Sequence, residues 1–365
     1  MTSPIIHRIA SIPADGIGGE VLAEGVRVLE SVAADSGGAL AFEFTDFPWG
    51  SDYYTETGKM IADDALEQLK PYDAIYFGAV GSREVPDHIS LWGLRLAICQ
   101  GFDQWANIRP VQFYDGLPSR LRLDGDPALE WVCIRENSEG EYAGFGGRNL
   151  SARGPGNEVA LQTSLFTEKG CERIMRFAFE LARTRPRRKL TSVTKSNAQQ
   201  YGMVLWDEVF QRVSADYPDV ETESWLVDAM AARFVLKPET LDVVVASNLN
   251  ADILSDLGSA LAGSLGLAAS ANLNPEGRYP SMFEPVHGSA PDIVGQGIAN
   301  PIGAIGSAAL MLDHLGHPEL GDRVRHAIAA TIRDGVLPPD VGGSANTREV
   351  ADAVIARLGS PLPVA

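Results

Sequence analysis

Cysteine is scarce in this 365-residue chain. The three thiols, Cys99, Cys133 and Cys171, are odd in number and none stands in a C-x-x-C spacing, which argues against a disulfide framework or a zinc site and points to a reducing compartment. The opening M-T-S-P-I-I-H-R-I-A has no cationic segment followed by an apolar one, so no secretory leader is expected. Long apolar runs are missing as well. The least polar stretch, residues 257–273, is diluted by Gly, Ser and Ala and follows two aspartates, so no membrane span is expected. Positive charge is in deficit, 30 Lys and Arg against 48 Asp and Glu, for a net charge of −18. That balance repels nucleic acid and anionic membranes, so neither is a natural partner and a cytoplasmic location is the default. An acidic chain that binds anions must gather its cations in a cleft. The basic run R-T-R-P-R-R-K, residues 183–189, lacks interleaved aromatics and reads as a solvated turn. A dinucleotide fingerprint is also absent. Gly16, Gly18 and Gly19 follow a first strand, but Val21 stands where G-x-G-x-x-G needs its last glycine, so a conventional Rossmann phosphate loop is rejected.

What the chain does hold is 45% hydrophobic residues, enough for a substantial core in one large or two ordinary domains. Residues 5–12, 39–44, 73–80, 130–135 and 189–194 read as strands. Helices are expected over 20–34, 63–70, 91–104 and 167–182, and around Trp206 and Phe210. Residues 159–166 alternate as an antiparallel strand. Strands alternating with helices imply an α/β fold with a parallel sheet, whose ligands gather at the carboxyl ends of the strands.

The chain is organised around L-D-V-V-V-A-S-N-L-N-A-D-I-L-S-D, residues 241–256. A β-branched run reads as a buried strand, and a polar break at 246–250 turns it into a helix expected from about Ala251. On that helix Asp252 and Asp256 are four residues apart, where like charges repel by a few tenths of about 1 kcal/mol. Mg²⁺ or Mn²⁺ answers that repulsion with carboxylate oxygens and open coordination places. A solvated acidic first turn favoured by the helix dipole is the plainer reading of the same pair. Asp228, inside the apolar W-L-V-D-A-M, is costly to bury alone and reads as a salt-bridge partner, a cap or a third carboxylate. Arg109, Arg135, Tyr142 and Lys195 stand at strand ends or in loops. Arginines beside three carboxylates suit a grip on a small dicarboxylate held against a metal. A lysine there can act as general base, and a tyrosine can return a proton. Residues 283–301, F-E-P-V-H-G-S-A-P-D-I-V-G-Q-G-I-A-N-P, form a long Gly-Pro-rich loop of the kind that carries function.

Taken in order, P-A-D-G-I-G, N-I-R-P, R-E-N-S-E-G-E-Y, V-T-K-S-N, V-D-A-M, N-A-D-I-L-S-D and the 283–301 loop make the whole chain resemble the β-decarboxylating dehydrogenases. That family holds the isocitrate, 3-isopropylmalate, homoisocitrate and tartrate/D-malate dehydrogenases. V-P-D-H-I-S-L-W-G, D-Y-Y and S-A-N-L-N-P look most like the tartrate/D-malate branch. The resemblance implies an isocitrate/isopropylmalate dehydrogenase-like α/β fold, two domains with a parallel-rich central sheet and no true Rossmann unit. Residues 1–100 and 246–365 would form the large cofactor domain, and 101–245 the small domain with the dimer interface. It implies a homodimer with shared sites, in which Lys195, Asn197 and Asp228 come from the neighbouring subunit. Asp228, Asp252 and Asp256 would hold Mg²⁺ or Mn²⁺, with K⁺ as a further candidate ion. The implied substrate is a 2-hydroxy dicarboxylic acid of the D-malate/tartrate type, oriented by Arg109 and Arg135. Lys195 would take the hydroxyl proton, hydride would pass to NAD, CO₂ would leave, and Tyr142 would protonate the carbon left behind. NAD would meet Glu284, His287, Gly288, Ser289, Ala290, Asp292 and Asn300. A carboxylate at Asp292 on the adenosine ribose disfavours NADP.

Two departures qualify this. The family's arginine ten residues before Arg109 is Cys99 here. Arg95, four residues earlier on the same expected helix, shares its face and is expected to substitute as a clamp, shifting preference toward a substrate with an added polar or anionic group. Asn250 and Ala251 replace an aromatic residue and a glycine, and a positive φ at Ala251 would cost about 1 kcal/mol. The alternatives are a 3-isopropylmalate, homoisocitrate or isocitrate dehydrogenase, and a non-catalytic relative that binds without turnover.

Overall fold

The computed structural model describes residues 4–118, 120–121 and 129–359. The chain divides into two compact units. The first takes in Met1–Gln104, Arg109–Leu129 and Ser259–Ala365, and the second Trp105–Ile108 and Glu130–Gly258. Against the expected boundaries, 101–104 and 109–129 fall in the first unit and 246–258 in the second. Arg135 supplies the reason for the latter: its Nε donates to Asn248 Oδ1 at 2.8 Å, tying the first turn of the helix Asn248–Ala262 to the strand Glu130–Glu136.

In the first unit the strands run in the order Leu40–Asp46, Ile5–Ala14, Ala74–Ala79, Ser281–Pro285 and Ala269–Leu273. The first three pairings are parallel and the last is antiparallel. Ala74–Ala79 is buried along its whole length, so the sequence shows a continuous apolar run there and no alternation. Ile75 and Phe77 pack with Ile12, Ile98, Phe102 and Met282. Tyr76 donates to the Ala304 carbonyl at 2.7 Å. Only glycine fits at position 25 of the helix Gly18–Asp35, because a Cβ there would fall on the Tyr76 hydroxyl.

In the second unit Glu130–Glu136, Val243–Ala246, Lys189–Thr194 and Glu221–Leu226 lie side by side, all parallel. The helix Glu168–Thr184 buries Ile174, Met175, Ala178 and Phe179, and Thr167 caps its start by accepting from the Gly170 N–H. Gly146–Asn149 and Val159–Gln162 form a separate antiparallel ribbon whose residues are all exposed.

Several elements differ from expectation. The helix over 91–104 is two helices, Asp87–Gly93 and Arg95–Gly101, parted at Leu94, whose φ of −121° and ψ of −81° leave the helical region. N-I-R-P belongs to a strand, Ala106–Gln112, and Ala269–Leu273 is a strand at the end of the least polar stretch. The helix bearing Asp252 starts at Asn248, so most of the polar break is already helical. Ala251 is buried within that helix and is not among the residues of positive φ, so the strain anticipated there does not arise. The basic run is not simply solvated: Arg183 pairs with Asp219, and Arg185 with Asp242 and Glu130. No helix among the described residues is long and apolar enough to cross a membrane.

Candidate active site

The second unit gathers the acid–base residues. Arg135 is buried at the end of its strand, and the register Ala246↔Arg135 sets it beside the strand that feeds the Asp252 helix. Its Nη1 donates to Asp252 Oδ1, and its guanidinium lies 5.3 Å from the centroid of the Tyr142 ring. Lys195 follows directly on the strand Lys189–Thr194, and its ammonium pairs with Asp228 Oδ1. Asp228 is not buried in the apolar run as expected. It opens the helix Val227–Leu236 with its side chain 66% exposed, because the first turn points away from the face that buries Met230 and Phe234. The hydrogen bond from Lys195 holds its carboxyl below the usual range, so it is ionised at neutral pH.

The structure therefore makes two couples, Arg135 with Asp252 and Lys195 with Asp228. It does not bring the three aspartates together: among the described residues of one chain no three His, Cys, Asp or Glu side chains are placed to hold a metal ion. Asp252 and Asp256 share one helix and offer hard oxygen donors of the kind Mg²⁺ and Mn²⁺ take.

In the first unit Arg109 and Arg95 are both buried. Arg95, expected as a substrate clamp, donates from Nε to Glu284 Oε1 at 2.7 Å and from Nη2 to Asn272 Oδ1 at 3.1 Å. Cys99 is a buried thiol on the same helix. The loop after Ser281–Pro285 packs on the glycine-bearing turn. Ile17 N–H donates to the Ser289 carbonyl at 2.9 Å, and Gly16, with φ +59°, has no room for a Cβ against that carbonyl. His287 Nδ1 donates to the Gly288 carbonyl at 2.9 Å, which leaves Nε2 as an acceptor. Burial lowers the pKa of this imidazole, so it is neutral at neutral pH, and Nε2 is a buried acceptor with no donor among the described residues. Such an atom fits a ligand hydroxyl or amide, which a dinucleotide offers. Ala290 takes a positive φ of 41° beside it. Asp292 is exposed and paired with Arg83. Asn300 Nδ2 donates to Asp340 Oδ2 at 3.0 Å, while its Oδ1 accepts from the Ile302 N–H at 3.0 Å.

Sequence reasoning passed over several residues here. Asp15 is buried and accepts from Ser51 N at 2.7 Å, Ser51 Oγ at 2.9 Å and Gly81 N at 2.8 Å, joining three loops. Its signal was an aspartate among the turn's glycines. Glu136 sits between Arg135 and Tyr142 in the same motif, and Arg83 gave no signal at all.

The isocitrate/isopropylmalate dehydrogenase family model matches residues 8–354. A probable tartrate dehydrogenase/decarboxylase of Agrobacterium vitis is 57% identical over 95% of this chain and 95% of its own. The D-malate dehydrogenase (decarboxylating) of Escherichia coli K12 is 51% identical over 95% of this chain and 97% of its own. The crystal structure of an isocitrate dehydrogenase from Methylococcus capsulatus superposes with a TM-score of 0.86 at 32% identity, covering 96% of this chain and 99% of the other. The chain thus belongs to the isocitrate/isopropylmalate dehydrogenase family of oxidoreductases.

Proposed function

We propose that this protein oxidises a 2-hydroxy dicarboxylic acid of the D-malate/tartrate type with NAD, in a metal-dependent reaction that also releases CO₂. The observation that carries this reading is identity of 51 to 57% over nearly the full chain to relatives named for those two acids.

The chain's own residues supply the groups the reaction needs. Arg109 and Arg135 orient the substrate carboxylates, with Arg95 as a further contact for a group on the next carbon. Lys195 removes the hydroxyl proton, and the nearby Asp228 keeps that lysine oriented. Tyr142 returns a proton to the carbon that loses CO₂, its ring set against the Arg135 guanidinium. Asp228, Asp252 and Asp256 would hold Mg²⁺ or Mn²⁺, which supplies Lewis-acid stabilisation of negative charge on the substrate oxygen. NAD would lie along 283–301, its amide or hydroxyls meeting His287 Nε2 and its adenosine ribose meeting Asp292. Glu284, Gly288, Ser289, Ala290 and Asn300 would line its path, and Asn197 would reach it from the second subunit. A monovalent ion such as K⁺ completes the expected set.

The metal reading calls for a homodimer with shared sites, since among the described residues of one chain no three such side chains are placed to hold a metal ion. Among the described residues, nine of the thirteen large exposed hydrophobic ones lie in the second unit, among them Phe145, Leu161, Tyr201, Leu236 and Ile253. An isolated two-stranded ribbon such as 146–162 is marginal in water and gains stability by packing against a second copy.

The test is NADH formation with Mn²⁺ on D-malate, the tartrates, isocitrate and 3-isopropylmalate, with CO₂ followed in parallel and EDTA as control. Turnover of D-malate or tartrate that chelation abolishes is expected. Silence on every acid would refute the reading.

A further inference from the structure

The motif R-E-N-S-E-G-E-Y holds a glutamate that the proposed reaction leaves without a part. Side chains alternate along the strand Glu130–Glu136, so Arg135 turns toward the Asp252 helix and Glu136 turns the other way. Glu136 is only 3% exposed. Its Oε1 accepts from the Ser138 N–H at 3.0 Å and from Ser138 Oγ, and its Oε2 accepts from the Glu139 N–H at 2.7 Å. Three donors around one buried carboxylate close a tight reversal of the chain. Beyond it, the Glu139 carboxylate accepts from Thr167 N and Oγ1, and Gly140 exchanges backbone hydrogen bonds with Leu165 at 2.8 and 3.1 Å. The next turn, Glu141–Ala143, presents Tyr142 to the Arg135 guanidinium. The backbone thus leaves Arg135, reverses about Glu136 and returns to set Tyr142 over its starting point.

We propose that Glu136 is a positioning residue for the reaction: its carboxylate holds the reversal that seats Tyr142 over Arg135. This rests on the reading that Tyr142 and Arg135 serve the dehydrogenase.

Burial pushes Glu136 up to about 7, against the hydrogen bonds from Ser138 and Glu139 that favour its ionised form. The charged and titratable neighbours are few. Glu139 raises it further, and Arg173 donates from Nη2 to Ser138 Oγ at 2.7 Å. Cys171, on the helix Glu168–Thr184, is pushed up to about 12 by burial and so stays a neutral thiol. Glu136 is therefore the group here whose charge changes near neutrality. Because burial favours the neutral form, protonation does not undo the closed turn; replacing the carboxylate by an amide, which sets an NH₂ group against one of these donors, does.

The experiment pairs kinetics with amide hydrogen exchange on the holoenzyme. Ser138→Ala removes one of the three donors and should speed exchange at 137–143 less than Glu136→Gln does. Glu136→Gln should lower kcat by roughly ten- to a hundredfold, with a smaller change in KM, since a misplacement of about 1 Å costs about a hundredfold. Exchange at 137–143, corrected for intrinsic rates, should be faster in Glu136→Gln than in wild type. Wild-type kcat retained in Glu136→Gln, or unchanged exchange at 137–143, would overturn the proposal. Exchange reads the anchor without turnover, so an inactive wild type counts against the dehydrogenase reading and not against the anchor.

Discussion

Arg95 and Glu284 form an ion pair inside the first unit, with side chains only 8% and 7% exposed and the Arg95 Nη2 2.7 Å from Oε1. Asn272 completes the group, its Nδ2 donating to the same carboxylate oxygen at 2.7 Å. The pair joins the helix Arg95–Gly101 to the strand Ser281–Pro285, so two residues expected to serve substrate and cofactor separately also hold each other.

Removing one partner of a buried pair leaves the other charge uncompensated, at a cost of about 3–5 kcal/mol. Arg95→Leu should therefore lower the urea midpoint, and adding Glu284→Gln should recover most of the loss, because the glutamine carbonyl still accepts from Asn272. Kinetics of the double variant on the acid panel then isolate the effect of Arg95 on substrate choice. A single variant as stable as wild type would show that the pair contributes nothing to the fold.

Shared sites make a prediction that no single-chain site makes. If Lys195 and Asp228 serve the partner's Asp252 and Asp256, then Lys195→Met and Asp252→Asn are each inactive, yet co-refolding the two should restore activity. Random pairing gives half hybrids with one intact site of two, so about a quarter of wild-type activity is expected in a symmetric dimer. No recovery, with hybrid formation verified by mass, would place every catalytic group in one chain.

Arg83 partly neutralises Asp292, and both are strongly exposed, at 70% and 80%. An exposed pair of this kind is worth only about 0.2–1 kcal/mol, so a ligand can break it. A 2′-phosphate brought beside Asp292 meets one repelling carboxylate and one attracting guanidinium. Asp292→Asn should weaken NAD binding and raise the relative use of NADP, whereas Arg83→Gln should sharpen the preference for NAD. Titration with NADH and NADPH by fluorescence reads both directions. Unchanged ratios in both variants would remove this pair from cofactor selection.

Stability should decline in mild acid. His7, His287 and His314 all have pKa values lowered by burial, and His7 is lowered further by His317, whose Nε2 lies 2.9 Å from its own. A histidine held neutral in the fold binds fewer protons than in the unfolded chain, so stability is lost as pH falls below the ordinary value of 6.5. Glu136 works in the opposite sense: its raised value means that stability falls as pH rises from 4.5 toward about 7. A variant isolates the histidine. His7→Gln should show a smaller drop in Tm than wild type between about pH 7.5 and about pH 5.5, because Glu136 is common to both proteins. An equal drop would clear His7 of the effect.

The sequence alone determined the α/β alternation, the buried strand Val243–Ala246, the spacing of Asp252 and Asp256 on one helix, and the motif order that marks the family. These are local signals, carried by periodicity within one element or by runs of adjacent residues. It also placed Lys195, Arg135 and Tyr142 at strand ends and in a loop, where they are found. Only the tertiary structure decided the partners: Lys195 with Asp228, Arg135 with Asn248 and Arg95 with Glu284 lie 33, 113 and 189 residues apart. No period of 2 or 3.6 residues links such positions. Which charge meets which follows from the order of the strands and from the face on which each side chain emerges, and both are set by packing of the cores.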